Sequence, residues 1–297
     1  MTTSLSPITQ LRFEAIGTSW VIDVYEQLSS SETQQLLHSI QQEIAIYDSI
    51  YSRFRSNSVV TSLSKKAGSV VLPEDSVELL TVYQELYTIT DGVFTPLIGN
   101  VLESAGYDAS YSLAKSTLSS PPSWADTLDY NSRSHRLTLK QPALLDFGAA
   151  GKGQLVDSVA SLLQQRGHTA FCVDGSGDMI HRHPENSLRV GLEHPEQTEQ
   201  VIGVATLSNQ SLCASAGNRR QWGEFHHMIN PKTLTSPRNV LATWIIAETT
   251  LLADALSTCV FFVSPQDLVM HYTFEYAILT ADYHVESSPG FPGEFFT

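Results

Sequence analysis

The chain has 297 residues, 42% hydrophobic and 16% charged, with 17 Gly and 13 Pro. That composition excludes a disordered chain, and the length suits one elaborate domain or two of ~150 residues around a sizeable core. Seventeen basic residues face thirty-one acidic ones, a net charge of −14, and the densest basic pairs are Lys65-Lys66 and Arg219-Arg220. Such a surface repels polyanions, so nucleic acid and anionic membranes are poor partners, and a small phosphate ligand would need backbone donors or a metal ion.

No apolar run approaches the ~18 residues of a membrane span. Met1 to Gln10 is polar, without a basic stretch leading into an apolar one, and reads as an N-terminal extension. Cys172, Cys213 and Cys259 are scattered and form no CxxC pair, so free thiols in a reducing compartment are expected rather than a disulfide framework or a zinc site. The expected location is cytoplasmic, with export after signal removal as the alternative.

In chain order, Leu11 to Glu14 and Trp20 to Tyr25 read as strands around Gly17-Thr18. Ser29 and Glu32 form a capping box, and Leu36, Ile40, Ile44, Tyr47 and Tyr51 recur at helical spacing, predicting a helix to about Ser52. A second helix is expected from Asp75 to about Thr90, with Val77, Leu80, Tyr83 and Tyr87 on one face. Residues 104–142, rich in Ser, Pro and Tyr, read as loops with a short strand at Arg136 to Leu139. Ala143 to Phe147 reads as a short buried strand. Gly151-Lys152-Gly153 opens a helix with Leu155, Val159 and Leu162 inward and Gly167 as its stop. Further strands are expected at 170–174, 188–193, 201–207, 226–230, 241–247 and 275–286, with a helix from about Thr250 to Val263. The mixture lacks strict βαβ alternation and shows no tandem repeat, which predicts an α+β fold rather than a doubly wound sheet.

Four constellations could carry chemistry. Asp146 to Asp157 places an acid, a turn of small residues and Lys152 at a helix start, where backbone amides can approach a phosphate; a plain strand-to-helix connection would look the same. It is not a Walker loop, because Asp146 stands where the first Gly belongs and Gly153 follows the Lys. Asp254 and Thr258 are one helical turn apart, a carboxylate and a hydroxyl suited to a hard cation, or else a solvated acid and a back-bonded Thr. His227, before Asn230-Pro231, could act as a base or be structural. Asp174-Gly-Ser-Gly-Asp178 reads as a Gly-rich bend, and His181-x-His183 as a loop without a third metal ligand.

The order of these segments is more specific than any one of them. Gly17-Thr18, Ser52-Arg-Phe-Arg55, Asp91-Gly-Val-Phe-Thr-Pro96 with Gly99, Asp146 to Asp157, Asp174 to Asp178, Ala214 to Asn218, His227 to Thr233 and Ala253 to Thr258 follow one another in a series that resembles the ApbE family of FAD:protein FMN transferases. The resemblance runs from about residue 11 to the C-terminus, through a closing strand and turn at Glu275 to Phe291, and implies a single domain over 11–291. It implies mixed β-sheets with flanking helices and a FAD cleft between sub-domains. Its implied reaction moves FMN from FAD to a Ser/Thr hydroxyl of an acceptor protein and releases AMP, with Mg²⁺ at the pyrophosphate. By motif position the Ala149 carbonyl, Asp254 and Thr258 would hold the metal. Ile16, Phe54, Val93, Phe94, Thr95, Asp146, Lys152 and Ile229 would contact FAD, and His227 matches the catalytic His.

The implied acceptor is another protein, a redox subunit with a flavinylation motif, since the chain carries no such motif itself. The chain departs from the family pattern at Asn230 and Leu234, where Asp and Gly are usual, at Ser215-Ala216-Gly217 for Thr-Ser-Gly, and at Gly151 for Ala. FAD hydrolysis to FMN and AMP, or flavin binding without catalysis, are the alternative readings.

Overall fold

The computed structural model describes residues 9–296. Of the N-terminal extension, residues 1–8 lie outside the described residues, while Thr9 and Gln10 belong to the first strand. That strand, β1 (Thr9–Ala15), pairs antiparallel with β2 (Thr18–Val24), so the first strand starts two residues before the expected Leu11. Their turn puts Ile16 and Gly17 at φ +47° and +74°, the left-handed pair a two-residue hairpin requires. The capping box at Ser29 and Glu32 opens α1 (Ser30–Tyr51), which buries the five expected residues. Next come α2 (Val59–Lys65), β3 (Gly68–Val71) and α3 (Ser76–Ile89). The buried stripe of α3 is Leu79, Leu80, Tyr83 and Leu86, so the face is turned from the expected one and Val77 and Tyr87 are only half-buried.

A 3₁₀ turn at Pro96–Ile98 leads into α4 (Gly99–Ser104). The Ser-rich stretch after it holds α5 (Trp124–Thr127) and β4 (Leu128–Asn131) besides the expected β5 (Arg136–Leu139), and β5 sits between β3 and β4 in a small sheet. Residues 143–147 are buried but are not a strand. Their amides find single partners instead of a ladder: Leu144 N–H donates to the Asn100 side chain at 3.0 Å and Asp146 N–H to Pro96 O at 2.7 Å. An apolar run buried on all sides carries no periodicity that separates strand from coil.

The expected helix follows as α6 (Gly151–Gln165), with Leu155, Val156, Val159 and Leu163 buried and Leu162 half-buried; Gly167 ends it at φ +90°. The rest of the chain is β6 (Phe171–Asp174), β7 (Asp178–Arg182), β8 (Leu188–Glu193), β9 (Val201–Leu207), β10 (Ser211–Ala216), β11 (Gln221–Trp222), β12 (Phe225–His226), β13 (Val240–Ala247), α7 (Thr250–Cys259), α8 (Pro265–Leu268), β14 (Glu275–Thr280), β15 (Val285–Ser287) and β16 (Gly293–Phe295). Three expectations shorten. The strand at 226–230 is the two-residue β12, the 250–263 helix ends at Cys259, and the 275–286 strand breaks into β14 and β15 around Tyr283 at φ +61°. His181 lies within β7, not in a loop, and is fully buried.

The main sheet has the order β1-β2-β6-β7-β10-β13-β14-β15, antiparallel throughout, as an α+β fold demands. Buried residues of α1, α3, α6 and α7 form one large core with one face of this sheet, and β8, β9 and β16 help form a second core. β13 divides its side chains between the two: Ile245 and Ala247 join the first, Trp244 and Ile246 the second. Burial on both faces explains why that strand reads as an unbroken apolar run.

Candidate active site

α6 and α7 meet at backbone contact. A Cβ on Gly153 would lie 2.7 Å from the Asp254 Cβ and closer still to the Thr250 carbonyl oxygen. Only glycine fits there, which is why Gly follows Lys152 in a loop that otherwise looks like a phosphate cradle. The same approach lets Gly153 N–H donate to Asp254 Oδ2 at 2.8 Å. Asp157, one turn further along α6, caps α7 by accepting from Thr250 N–H (3.0 Å) and Leu251 N–H (2.7 Å). Burial pushes its carboxyl up to about 6 in spite of those two donors.

The four constellations converge on one cleft of ≈480 Å³. Asp254, Thr258, Ala149 and Lys152 line it beside Asp178 and the Ser176-Gly177 turn. Phe54, Val93, Phe94, Thr95, Asp146, His227 and Ile229 line it as well. Ile16 is not brought to the cleft wall. It packs half-buried against the large core, and its neighbours Gly17 and Thr18 line the cleft in its place. Thr95 lines the cleft and also caps the 3₁₀ turn, accepting from Leu97 N–H at 3.2 Å.

Lys152 is committed to the protein. Its ammonium donates to Gly175 O (2.8 Å) and Ser176 O (3.2 Å) and pairs with Asp178 at 2.8 Å. Burial opposes its charge, but Asp178 and Asp254 outweigh that and raise its pKa. Burial, and then the charge of Asp178, push the Asp254 carboxyl far above the ordinary range. Both buried carboxyls lie in the field of this ammonium, but only Asp178 pairs with it. The Asp254 carboxylate makes no ion pair, and the Thr258 hydroxyl no hydrogen bond, among the described residues; it is Ser257 that back-bonds, to Asp254 O at 2.8 Å. An all-oxygen donor pair, whose carboxyl a bound cation would ionise, suits a hard divalent ion. Among the described residues no cluster of three or more His, Cys, Asp or Glu side chains could hold a metal.

His227 follows β12, its N–H donating to Arg220 O at 3.1 Å, and its Nδ1 is buried without a partner among the described residues. Burial first, then Arg220 and His226, push its pKa down to about 3, so the imidazole is neutral at ordinary pH. The turn after it is built on Asn230 and Leu234. Asn230 Oδ1 accepts from Lys232 N–H (2.9 Å) and Thr233 N–H (3.2 Å), as a carboxylate oxygen would, and Leu234 takes φ +58°, where glycine would be unstrained.

Some residues of the site escaped the sequence reading. Asp178 closes the Gly-rich bend, whose acids had no visible partner until β6 and β7 brought them to Lys152. Arg53, beside Phe54, is buried and pairs with Asp146 at 2.5 Å. Arg220 lines the cleft and donates to the Tyr107 hydroxyl at 2.7 Å. Their sequence signals were slight: an Arg at a helix end and one half of a basic pair.

The ApbE family model matches residues 16–275. The chain belongs to the ApbE family. Among its relatives, the FAD:protein FMN transferase of Escherichia coli K12 is 21% identical over 284 residues, covering 89% of this chain and 81% of that protein. The FAD:protein FMN transferase of Treponema pallidum is 23% identical over 275 residues, covering 83% of this chain and 76% of that one. In fold, the ApbE protein of Thermotoga maritima superposes with a TM-score of 0.80 at 22% identity, covering 95% of this chain and 97% of that chain. The flavin transferase ApbE of Vibrio cholerae reaches 0.78 at 16% identity with the same coverage. Mixed sheets with flanking helices are therefore the ApbE architecture, as the order of motifs implied. No helix among the described residues is long and apolar enough to cross a membrane.

Proposed function

We propose that this ApbE chain transfers FMN from FAD to a Ser/Thr hydroxyl of an acceptor flavoprotein, with residues 11–291 as the working unit. The observation that carries the reading is the convergence of a neutral His227, the oxygen pair Asp254 and Thr258, and an aromatic wall at Phe54 on one cleft. The acceptor hydroxyl oxygen attacks the phosphorus of the FMN half, the bond to the bridging oxygen breaks, and AMP leaves with that oxygen. His227 takes the hydroxyl proton through its imidazole nitrogen, a role typically worth ~10²–10⁴-fold.

The Ala149 carbonyl, Asp254 and Thr258 would hold Mg²⁺, which when bound neutralises charge on the pyrophosphate. Lys152 acts by fixing the 174–178 turn and by its field, because its three protons are already donated. Phe54, Val93, Phe94, Thr95, Asp146 and Ile229 form the FAD wall, with Ile16 acting through the turn it shares with Gly17. The acceptor is a redox subunit bearing a flavinylation motif. Three buried free thiols suit the cytoplasm.

The test is mass spectrometry of candidate acceptors after incubation with the protein, FAD and Mg²⁺. A gain of the FMN mass supports transfer. Rapid AMP release without any acceptor makes the protein a FAD hydrolase instead, and bound flavin with no AMP under either condition makes it a carrier.

A further inference from the structure

Beside Phe54 of the cleft wall stands a second exposed ring, Tyr111, to which the family resemblance gives no role. The chain leaves α4 at Gly106, φ +105°, where a Cβ would strike the Leu113 and Ala114 backbone at 2.6 Å. A loop returns against that glycine, Leu113 N–H donating to Gly106 O at 2.9 Å and Ser116 N–H to Ser104 O at 2.7 Å. Asp108 is its hub. Its carboxylate accepts from the hydroxyls and backbone N–H groups of Ser112 and Ser110, which hold its carboxyl well below the usual range. Lys115 ties the far end to the β11–β12 hairpin, pairing with Glu224 at 2.6 Å and lying 5.1 Å over the Phe225 ring.

This pinned loop holds Tyr111 and Leu113 in left-handed backbone, φ +52° and +54°, which non-glycine residues rarely adopt. Such strain in a well-braced loop is characteristic of ligand clamps. The loop presents the Tyr111 ring, 55% exposed, nearly parallel to the Phe54 ring at 5.7 Å and 11°. Phe54 lines the cleft and cannot shift far: the Arg53 guanidinium lies 4.2 Å from its ring centre and is itself buried and paired to Asp146. Tyr107 meets both rings edge-on at 5.5 Å.

We propose that Tyr111 and Phe54 seat one planar ring of FAD between them, Phe54 as the fixed face and Tyr111 as the moving one. A ring stacked on both sides needs about 7 Å between its neighbours, so Tyr111 swings outward on loading and closes on the ring's outer face. The inference rests on the FAD reading above and adds a ring-stacking residue to it.

The test titrates FAD into wild-type protein and the Tyr111→Ala and Tyr111→Phe variants, following the quenching of flavin fluorescence, with AMP release measured under the conditions that support turnover. Tyr111→Ala should raise the Kd and the KM for FAD about tenfold, the scale of one aromatic stack, lose part of the quench, and leave kcat and the melting temperature unchanged. Tyr111→Phe should match wild type, and Asp108→Ala, which frees the loop, should fall between them. Wild-type affinity and quench in Tyr111→Ala overturn this inference alone, as does a Tyr111→Phe variant as weak as Tyr111→Ala. Wild-type protein that leaves FAD fluorescence unchanged overturns the flavin reading and this inference with it.

Discussion

At its inner end the cleft is walled by α6 and α7 in backbone contact at Gly153, and its charges, Lys152, Asp178 and Asp254, are drawn from the protein interior. At its mouth Phe54 and Tyr111 stand well exposed, one just past the end of α1 and the other on a loop. The inner end is specified by what is missing, a Cβ at Gly153 and a full complement of counter-charges. The mouth is specified by what is added, flat rings stacked in solvent. A rigid, charge-poised floor suits a reacting phosphate, whereas an adjustable aromatic rim suits a ring that must enter and leave.

The sharpest way to break this contrast is Asp254→Ala. It should cut Mg²⁺-dependent AMP release by at least ~10³-fold with a smaller change in melting temperature, because relief of the repulsion from Asp178 is offset by loss of the bond that Gly153 N–H donates. Full activity in that variant would refute the cation role of the inner end. His227→Ala should cost ~10²–10⁴-fold in transfer, and AMP-release profiles should show no acid limb near pH 6.5, since this imidazole titrates near 3. A limb at 6.5 that vanishes in the variant would mean that the histidine is not held neutral.

Gly153→Ala tests the backbone contact itself. Its Cβ meets backbone that cannot yield, so a loss of ~2–4 kcal/mol is expected, read as a melting temperature lower by roughly 3–6 °C. An unaltered melt would show that α6 and α7 can separate freely. His227 also sets a pH dependence of stability. Between pH 6.5 and about 3 the unfolded chain binds a proton there that the folded chain does not, so stability contributed by this group falls as pH drops through that window. Asp157, raised to about 6, runs the other way: its contribution falls as pH rises from the ordinary carboxylate range to 6. Denaturant titrations of His227→Ala and Asp157→Asn across that range separate the two slopes. The smallest effect belongs to Leu234→Gly, where relief of the left-handed backbone and loss of a half-buried side chain should offset to within about 1 kcal/mol.

Local signals predicted the elements that rest on local physics. The Ser29–Glu32 box and the apolar spacing behind it marked α1, and Gly167 marked the end of α6, because caps and stops are short-range geometry. Residues 143–147 misled because their burial comes from distant elements and their amides bond singly. The two-residue β11 escaped, and β12 was expected to run on to residue 230, because so short a pairing has no periodicity of its own.

From the sequence by itself came the α+β class, the residue types of the site and the order of motifs that resembles the ApbE family, since composition, spacing and order survive without coordinates. Only the tertiary structure decided which acids face Lys152, that Ile16 turns to the core while Gly17 and Thr18 reach the cleft, and that Tyr111 lies on Phe54. Those are contacts between residues remote in sequence, and long-range geometry depends on how strands and helices pack rather than on any one stretch of chain.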